Sequence, residues 1–150
     1  MNRRGLTLIE LLSTLTIVAI LAQVALPAMA TMKRKADAAH VVGDLNVIRV
    51  AAFDHYAGLG FFPATQPWAT PPGTMINSLP RGFSWTYKSV QYRWHRFPLP
   101  GGVPGNPGQS ALIAVEVQST DVRLMAAIKG LYRAGTAFGT ATNVTFILNE

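Results

Sequence analysis

The sequence predicts an α+β fold, with one long N-terminal helix packed on a small antiparallel β-sheet. Apolar residues recur at three- and four-residue intervals through Val41, Leu45, Ile48, Ala52 and Tyr56, as on one helix face. From Phe83 onward the period changes to two, as in half-buried strands. The connections between those strands are too short for parallel crossovers, so the sheet is antiparallel.

The helix begins in an apolar arm. Residues 6–30 form a run of 25 residues in which Glu10 is the only charged one. About 20 helical residues cross a bilayer core, so the run reads as a membrane span. Ser13, Thr14, Thr16 and Gln23 interrupt its apolarity, but small polar residues are tolerated where another helix packs. Glu10 is harder to place, because a carboxylate inside such a span costs roughly 2.5 to 3.5 kcal/mol on insertion scales. A cleaved secretory signal is a second reading: residues 1–4 are basic, and Ala28-Met29-Ala30 fits a small-x-small cleavage site. The run is longer than the usual ~7 to 15 apolar residues of such a signal, and Glu10 would be out of place in one.

Past the arm the helix continues to near Tyr56, for a total of about 75 Å at 1.5 Å per residue. Lys33 with Asp37, and His40 with Asp44, are four apart and are expected on its wetter side. Pro27 removes a backbone donor and should bend the helix. Gly58-Leu59-Gly60 ends it, and residues 64–80 form a long proline-rich connection.

The strands come next. Phe83, Trp85 and Tyr87 alternate with polar residues, then Val90, Tyr92 and Trp94 alternate in the opposite phase. That phase change predicts a hairpin turning at Lys88-Ser89. Residues 98–108 are a loop, and residues 112–117 a strand with Ile113, Val115 and Val117 on one face. Ser119-Thr120-Asp121 starts a short helix that should pack on the sheet. Leu124, Ile128 and Leu131 form its stripe, with Arg123, Lys129 and Arg133 turned away, and Gly135 and Gly139 break it. Val144, Phe146 and Leu148 close the chain as a last strand.

Composition narrows the chemistry. With no cysteine, a disulfide framework and a thiolate metal site are both excluded. His40, His55 and His95 lack metal-ligand spacing. Glu116, Asp121 and Glu150 are too few oxygen donors for a calcium site in the C-terminal half. The glycines of residues 101–108 alternate with prolines and are not followed by the Lys-Ser/Thr of a phosphate loop. No cofactor and no enzymatic constellation are expected. Net charge is +6, a balance that is weak evidence for nucleic acid by itself. Lys88, Tyr92, Arg93, Trp94 and Arg96 do interleave bases with aromatics, as single-stranded nucleic-acid platforms do. Strand alternation argues the other way, placing the rings in the core and Arg93, His95 and Arg96 on the wet face.

Gly5-Leu6-Thr7-Leu8-Ile9-Glu10-Leu11-Leu12 closely resembles the class III signal of type IV pilins and type II secretion pseudopilins. The resemblance implies a pilin fold and a structural role. A prepilin peptidase would cut between Gly5 and Leu6 and methylate the new amine of Leu6. Glu10 then becomes the fifth residue of the mature chain, where the family has its glutamate, and Pro27 the twenty-second, where many members bend. Leu6 departs from the family's usual phenylalanine but is also large and apolar. Glu10 would meet the amine of a neighbouring subunit, since a buried carboxylate and a buried amine are each costly alone and less so paired. Gly60-Phe61-Phe62-Pro63 resembles the glycine, aromatic and proline that follow the long helix in many pseudopilins.

The implied organisation is a leader at residues 1–5, a transmembrane and assembly helix at 6–30, and a periplasmic or extracellular body at 31–150. Removing the leader leaves eleven basic against seven acidic residues, a balance of +4. Charge alone does not orient the span, because Arg3 and Arg4 face Lys33-Arg34-Lys35 across it. The signal places the leader in the cytoplasm and the body beyond the inner membrane, with residues 33–35 as a collar where the arm leaves lipid. Implied partners are further copies or related pilins, the peptidase and methyltransferase, the inner membrane and assembly platform proteins, with DNA as the second reading. The lack of cysteine removes the disulfide-bounded loop of many major pilins, which favours a pseudopilin or minor subunit.

Overall fold

A computed structural model describes residues 7–100, 111–132 and 136–148. Its first element, α1 (Leu8–Leu59), is one continuous helix of 52 residues. Gly60 stops it in the left-handed region at φ 77°, its N–H donating to the Tyr56 carbonyl at 2.7 Å. Only the C-terminal part is buried by the chain itself, through Ala38, Val41, Leu45, Ile48, Ala51, Ala52 and His55. The predicted stripe holds at Val41, Leu45, Ile48 and Ala52 and fails at its end. Tyr56 is 41% exposed and His55 is buried in its place. The chain reverses at Gly60 and stacks the buried Phe62 ring on Tyr56, with ring centroids 4.5 Å apart. His55 turns inward and donates from Nδ1 to the Phe61 carbonyl at 3.0 Å.

The sheet has five strands in the order β1-β2-β3-β5-β4, and every pairing is antiparallel. β1 (Thr86–Tyr87) is shorter than the alternation of Phe83, Trp85 and Tyr87 predicts. The chain is still in a turn at Phe83, whose N–H donates to the Pro80 carbonyl at 3.1 Å. The hairpin does close over Lys88-Ser89, with Lys88 at φ 53°. Its partner β2 (Val90–Pro98) pairs along its whole length with β3 (Ala111–Ser119). Val90, Tyr92 and Trp94 of β2 share the core face with Ile113, Val115 and Val117 of β3, as their spacing predicts. The remaining edge of β2 is covered by the proline-rich connection. Gln66 donates to the Trp94 carbonyl at 3.1 Å and Ala69 to the Tyr92 carbonyl at 2.9 Å. That loop therefore caps a strand edge that would otherwise present unpaired backbone. Further along, a 3-10 helix (Gly73–Ser78) buries Met75 against α1.

α2 (Val122–Leu131) starts at the predicted point, where Asp121 accepts from the backbone of Arg123 and Leu124 at 3.0 Å each. It lies chiefly against α1, with a smaller contact to β3 and β5, and not mainly on the sheet as expected. α1 already takes up part of the sheet's inner face, where Asp37 and Asp44 meet Tyr87 and Tyr92, and the second helix packs beside the first. Leu131 is 55% exposed, because the helix ends there and Met125 fills the stripe together with Leu124 and Ile128. Two short strands follow, β4 (Ala137–Gly139) and β5 (Asn143–Ile147). β5 contributes Val144 and Phe146 to the core as predicted, with Leu148 buried beyond its end. β4 was not expected: Gly139 is a strand residue rather than a helix breaker. Arg133, Gly135 and residues 101–108 of the predicted loop lie outside the described residues.

Gly139 has a strict reason to be glycine. Its φ is 141°, and a Cβ there would lie 2.2 Å from the Asn143 carbonyl oxygen. Gly139→Ala is expected to destabilise the body by about 2 kcal/mol, through backbone strain and displacement of the β4–β5 turn. Urea unfolding of the detergent-solubilised chain, followed by tryptophan fluorescence, measures this, and a variant as stable as the parent would contradict it.

Candidate functional site

The feature without a structural explanation inside the chain is the first half of α1. Leu8, Ile9, Leu11, Leu12, Leu15, Ile17, Val18, Ile20, Leu21, Val24, Leu26, Met29 and Met32 are each at least half exposed. The most apolar 18-residue window of α1 has a mean hydropathy of 2.1, and none of it is buried, so the helix is long and apolar enough to cross a membrane. Its hydroxyls need no water. Ser13 donates to the Glu10 carbonyl at 3.0 Å, Thr14 to Leu11 at 2.8 Å, Thr16 to Leu12 at 2.8 Å and Thr31 to Pro27 at 3.1 Å. Polar side chains satisfied on their own helix can sit in hydrocarbon. The helix continues through Pro27.

Glu10 is held at the helix start. Its Oε2 accepts from the Thr7 backbone N–H at 2.8 Å and from the Thr7 hydroxyl at 2.7 Å. In return Thr7 Oγ1 accepts from the Glu10 N–H at 3.4 Å. This is a capping box, and the carboxylate lies at the positive end of the helix dipole. Thr7-x-x-Glu10 is a readable capping signature, and sequence reasoning that looked only for a charged partner missed it. Both contacts use Oε2, and Oε1 has no partner among the described residues. Gly5 and Leu6 lie outside the described residues.

Where α1 leaves the apolar arm, it is tied to the body by partly buried acids. Asp37 does not pair with Lys33 on a wet face, as its spacing suggested. It accepts from Tyr87 Oη at 3.1 Å and from the ammonium of Lys88 at the hairpin turn. Asp44 does meet His40, at 3.3 Å, but it also accepts from Tyr92 Oη at 2.6 Å. His40 stacks on Tyr87 with centroids 4.0 Å apart. Both acids are therefore mostly covered where the sheet meets the helix. One turn lower, Arg34 reaches Asp121 of the α2 cap at 3.9 Å.

Residues 1–23 match a family model described as the prokaryotic N-terminal methylation motif. The chain carries the prepilin-type signal of type IV pilins and pseudopilins. Neither a curated protein nor a solved structure matches the chain. The motif supports a pilin-like or pseudopilin-like protein, and the exposed apolar helix fits membrane insertion.

On the body the basic and aromatic residues of β2 divide differently from a nucleic-acid strip. Tyr92 and Trp94 have no exposed surface. Tyr92 is bonded to Asp44, and Trp94 Nε1 donates to the Pro63 carbonyl at 2.9 Å. Neither ring is open to stack on a base. Burial and the neighbouring Asp44 carboxylate push the Tyr92 hydroxyl far above the usual tyrosine range. Arg96 shares the inward parity of Trp94 and is not on the wet face. Its Nη1 donates to the Phe62 carbonyl at 2.9 Å. Arg93 is on the outer face, lies over the Trp68 ring and comes within 3.6 Å of Glu116. His95 Nε2 and Asn143 Nδ2 also meet Glu116, at 2.8 and 2.6 Å. Lys88 is held by Asp37. No three His, Asp or Glu side chains gather as a metal-holding group among the described residues. Glu150 lies outside them.

The Asp37–Lys88 contact makes stability depend on pH. The hydrogen bond from Lys88 holds Asp37 below its ordinary value of 3.8, and the same bond holds Lys88 above 10.5. Asp37 thus contributes fully above pH 3.8 and loses its contribution as pH falls through its lower folded value. Lys88 contributes fully below pH 10.5 and loses its contribution as pH rises past its higher folded value. Asp37→Asn is expected to lower the melting temperature by a constant amount between about pH 5 and 9, and by less in stronger acid. Thermal melts of both proteins across that range and on into stronger acid test this, and a difference that grows on acidification would contradict it.

Proposed function

We propose that this chain is a structural subunit of a type IV pilus or a type II secretion pseudopilus, assembled through α1. Residues 1–5 are the leader, removed by prepilin peptidase at Gly5–Leu6, and Leu6 carries the methyl group. Residues 6–30 hold the subunit in the inner membrane and later form the core of the filament, with residues 31–150 as the body outside that membrane. The observation that carries this reading is a 25-residue arm with Glu10 as its only charge, headed by the methylation motif and left exposed among the described residues. Other copies, or related pilins, would cover it, and assembly platform proteins would draw it from the membrane.

Glu10 has a part in both states. In the isolated subunit its Oε2 closes the helix start on Thr7. Oε1 remains for the Leu6 amine of a neighbour, so the pair can form without breaking the cap. That pairing would set the stagger between copies, as single buried polar groups do in other helical assemblies. Pro27 lies within the same packed region and would bend the arm. The buried rings of Tyr92 and Trp94 lend no support to DNA binding through β2.

Two measurements test the proposal. Mass spectrometry of the native N-terminus is expected to find a methylated Leu6 start, whereas a start at Thr31 would show a secretory signal instead. Glu10→Ala is expected to be processed normally yet to enter filaments poorly. Normal incorporation of that variant would remove the role given to Glu10.

A further inference from the structure

The end of the body that faces the arm is strongly and asymmetrically basic. Several contacts bring its parts to one level. Asp37 of α1 meets the hairpin turn at Lys88, and Arg34 meets the start of α2 at Asp121. Ser89 of that turn contacts Ser119 at the end of β3, at 3.1 Å. The Ser119 N–H donates to the Thr142 carbonyl just before β5, at 3.0 Å. The hairpin turn, the end of β3, the start of α2 and the start of β5 thus form one base, and α1 leaves through it. This base carries Lys33, Arg34, Lys35, Lys88 and Arg123, and the acids Asp37 and Asp121. Both acids are taken up by Lys88 and Arg34. Lys33, Lys35 and Arg123 are exposed and have no ion-pair partner among the described residues.

The geometry of these cations selects their partner. Residues 33, 34 and 35 step about 100° apart around α1, so their charges ring the helix rather than line one side of it. Arg34 faces α2, and Arg123 extends the ring in that direction. Lys33 is the first charge after Glu10, about 38 Å along the helix from Leu8. A hydrocarbon core of about 30 Å with Leu8 near one interface therefore puts the ring among the phosphates of the other. Beside Arg123, Val122 is 48% exposed and offers an apolar contact at the same level.

We propose that this basal ring of Lys33, Lys35 and Arg123, with Arg34 behind it, docks the body on anionic phospholipid headgroups while the arm is in the membrane. A plane of phosphates around the emerging helix matches a ring of cations, whereas a nucleic-acid strand would need them in a row. Docking holds the unassembled subunit upright at one depth, and it is broken when the arm is withdrawn into a filament. The inference rests on the membrane-embedded state of the arm and not on assembly, so a subunit that never polymerises still tests it.

The chain has no cysteine, so Val122→Cys gives a single labelling site on the base. The full chain carrying an environment-sensitive fluorophore there is placed in nanodiscs of phosphatidylcholine, or of an equimolar mixture with phosphatidylglycerol. A blue-shifted emission that appears only with phosphatidylglycerol and fades with added salt is expected. Lys33→Gln, Lys35→Gln and Arg123→Gln should each lower the ratio of docked to undocked body by roughly fivefold. Lys33→Arg with Lys35→Arg should leave it unchanged. Equal emission in the two lipids, or a phosphatidylglycerol response that survives removal of all three charges, would overturn the proposal. So would a response to added DNA in phosphatidylcholine nanodiscs with none to phosphatidylglycerol, which would make the ring a nucleic-acid contact.

Discussion

The lower half of α1 presents a broad apolar surface that no other described part of the chain covers. Water would not tolerate this over a helix of such length, since exposed apolar patches on soluble monomers are far smaller. The surroundings must therefore supply the cover, and the rest of the arm is consistent with that demand. Its hydroxyls bond back to the helix, its one carboxylate is folded onto the helix start, and no other charge appears before Lys33. Lipid would meet these requirements for a single subunit, and the arms of other subunits would meet them in the proposed filament. The same surface serves in both settings because neither asks for anything beyond apolar contact and satisfied polar groups.

Above the arm the problem is the opposite one, since a single long helix must be fixed to a body that packs on only part of it. The core residues between Ala38 and His55 supply the adhesion. Direction comes from polar contacts at the lower margin, where Asp37 takes Lys88 and Tyr87, Asp44 takes Tyr92 and His40, and Arg34 takes Asp121. Pairs with cations this exposed add little net stability, but Asp37 and Asp44 are themselves mostly covered and would lose their partners in any other orientation. The angle between arm and body is thus set by chemistry at the margin where the solvent changes. A subunit built this way transmits the position of its helix to the position of its surface.

Much of this was readable from the sequence, and the failures have physical causes. The core stripe from Val41 to Ala52 and the opposed phases of β2 and β3 follow from periodicity alone. Periodicity failed at the helix ends: past the turn at Gly60 Phe62 enters the core and Tyr56 stays partly exposed, and the early end of α2 exposed Leu131. Asp44 does pair with His40, but the sheet contacts of Asp37 and Asp44 were missed because a four-residue spacing identifies a neighbour on the helix but not the direction from which a sheet arrives. β4 is three residues long and holds a glycine at φ 141°, so it offers no alternation to find. At the site, the apolar run and its glutamate were evident, while the Thr7 cap was overlooked although its spacing states it. Arg96 was assigned outward by its charge, when its parity with Trp94 pointed inward.

The central claim is that the carboxylate of Glu10, capped on its own helix, meets the amine of another copy when the apolar arms come together. Zero-length carbodiimide coupling reports this contact directly in intact filaments assembled from mixed light- and heavy-isotope subunits. Peptide mass spectrometry should find an amide joining the Leu6 amine of one copy to Glu10 of another, with both isotope combinations represented. Intact filaments in which Glu10 couples only within its own chain, or not at all, would contradict the account.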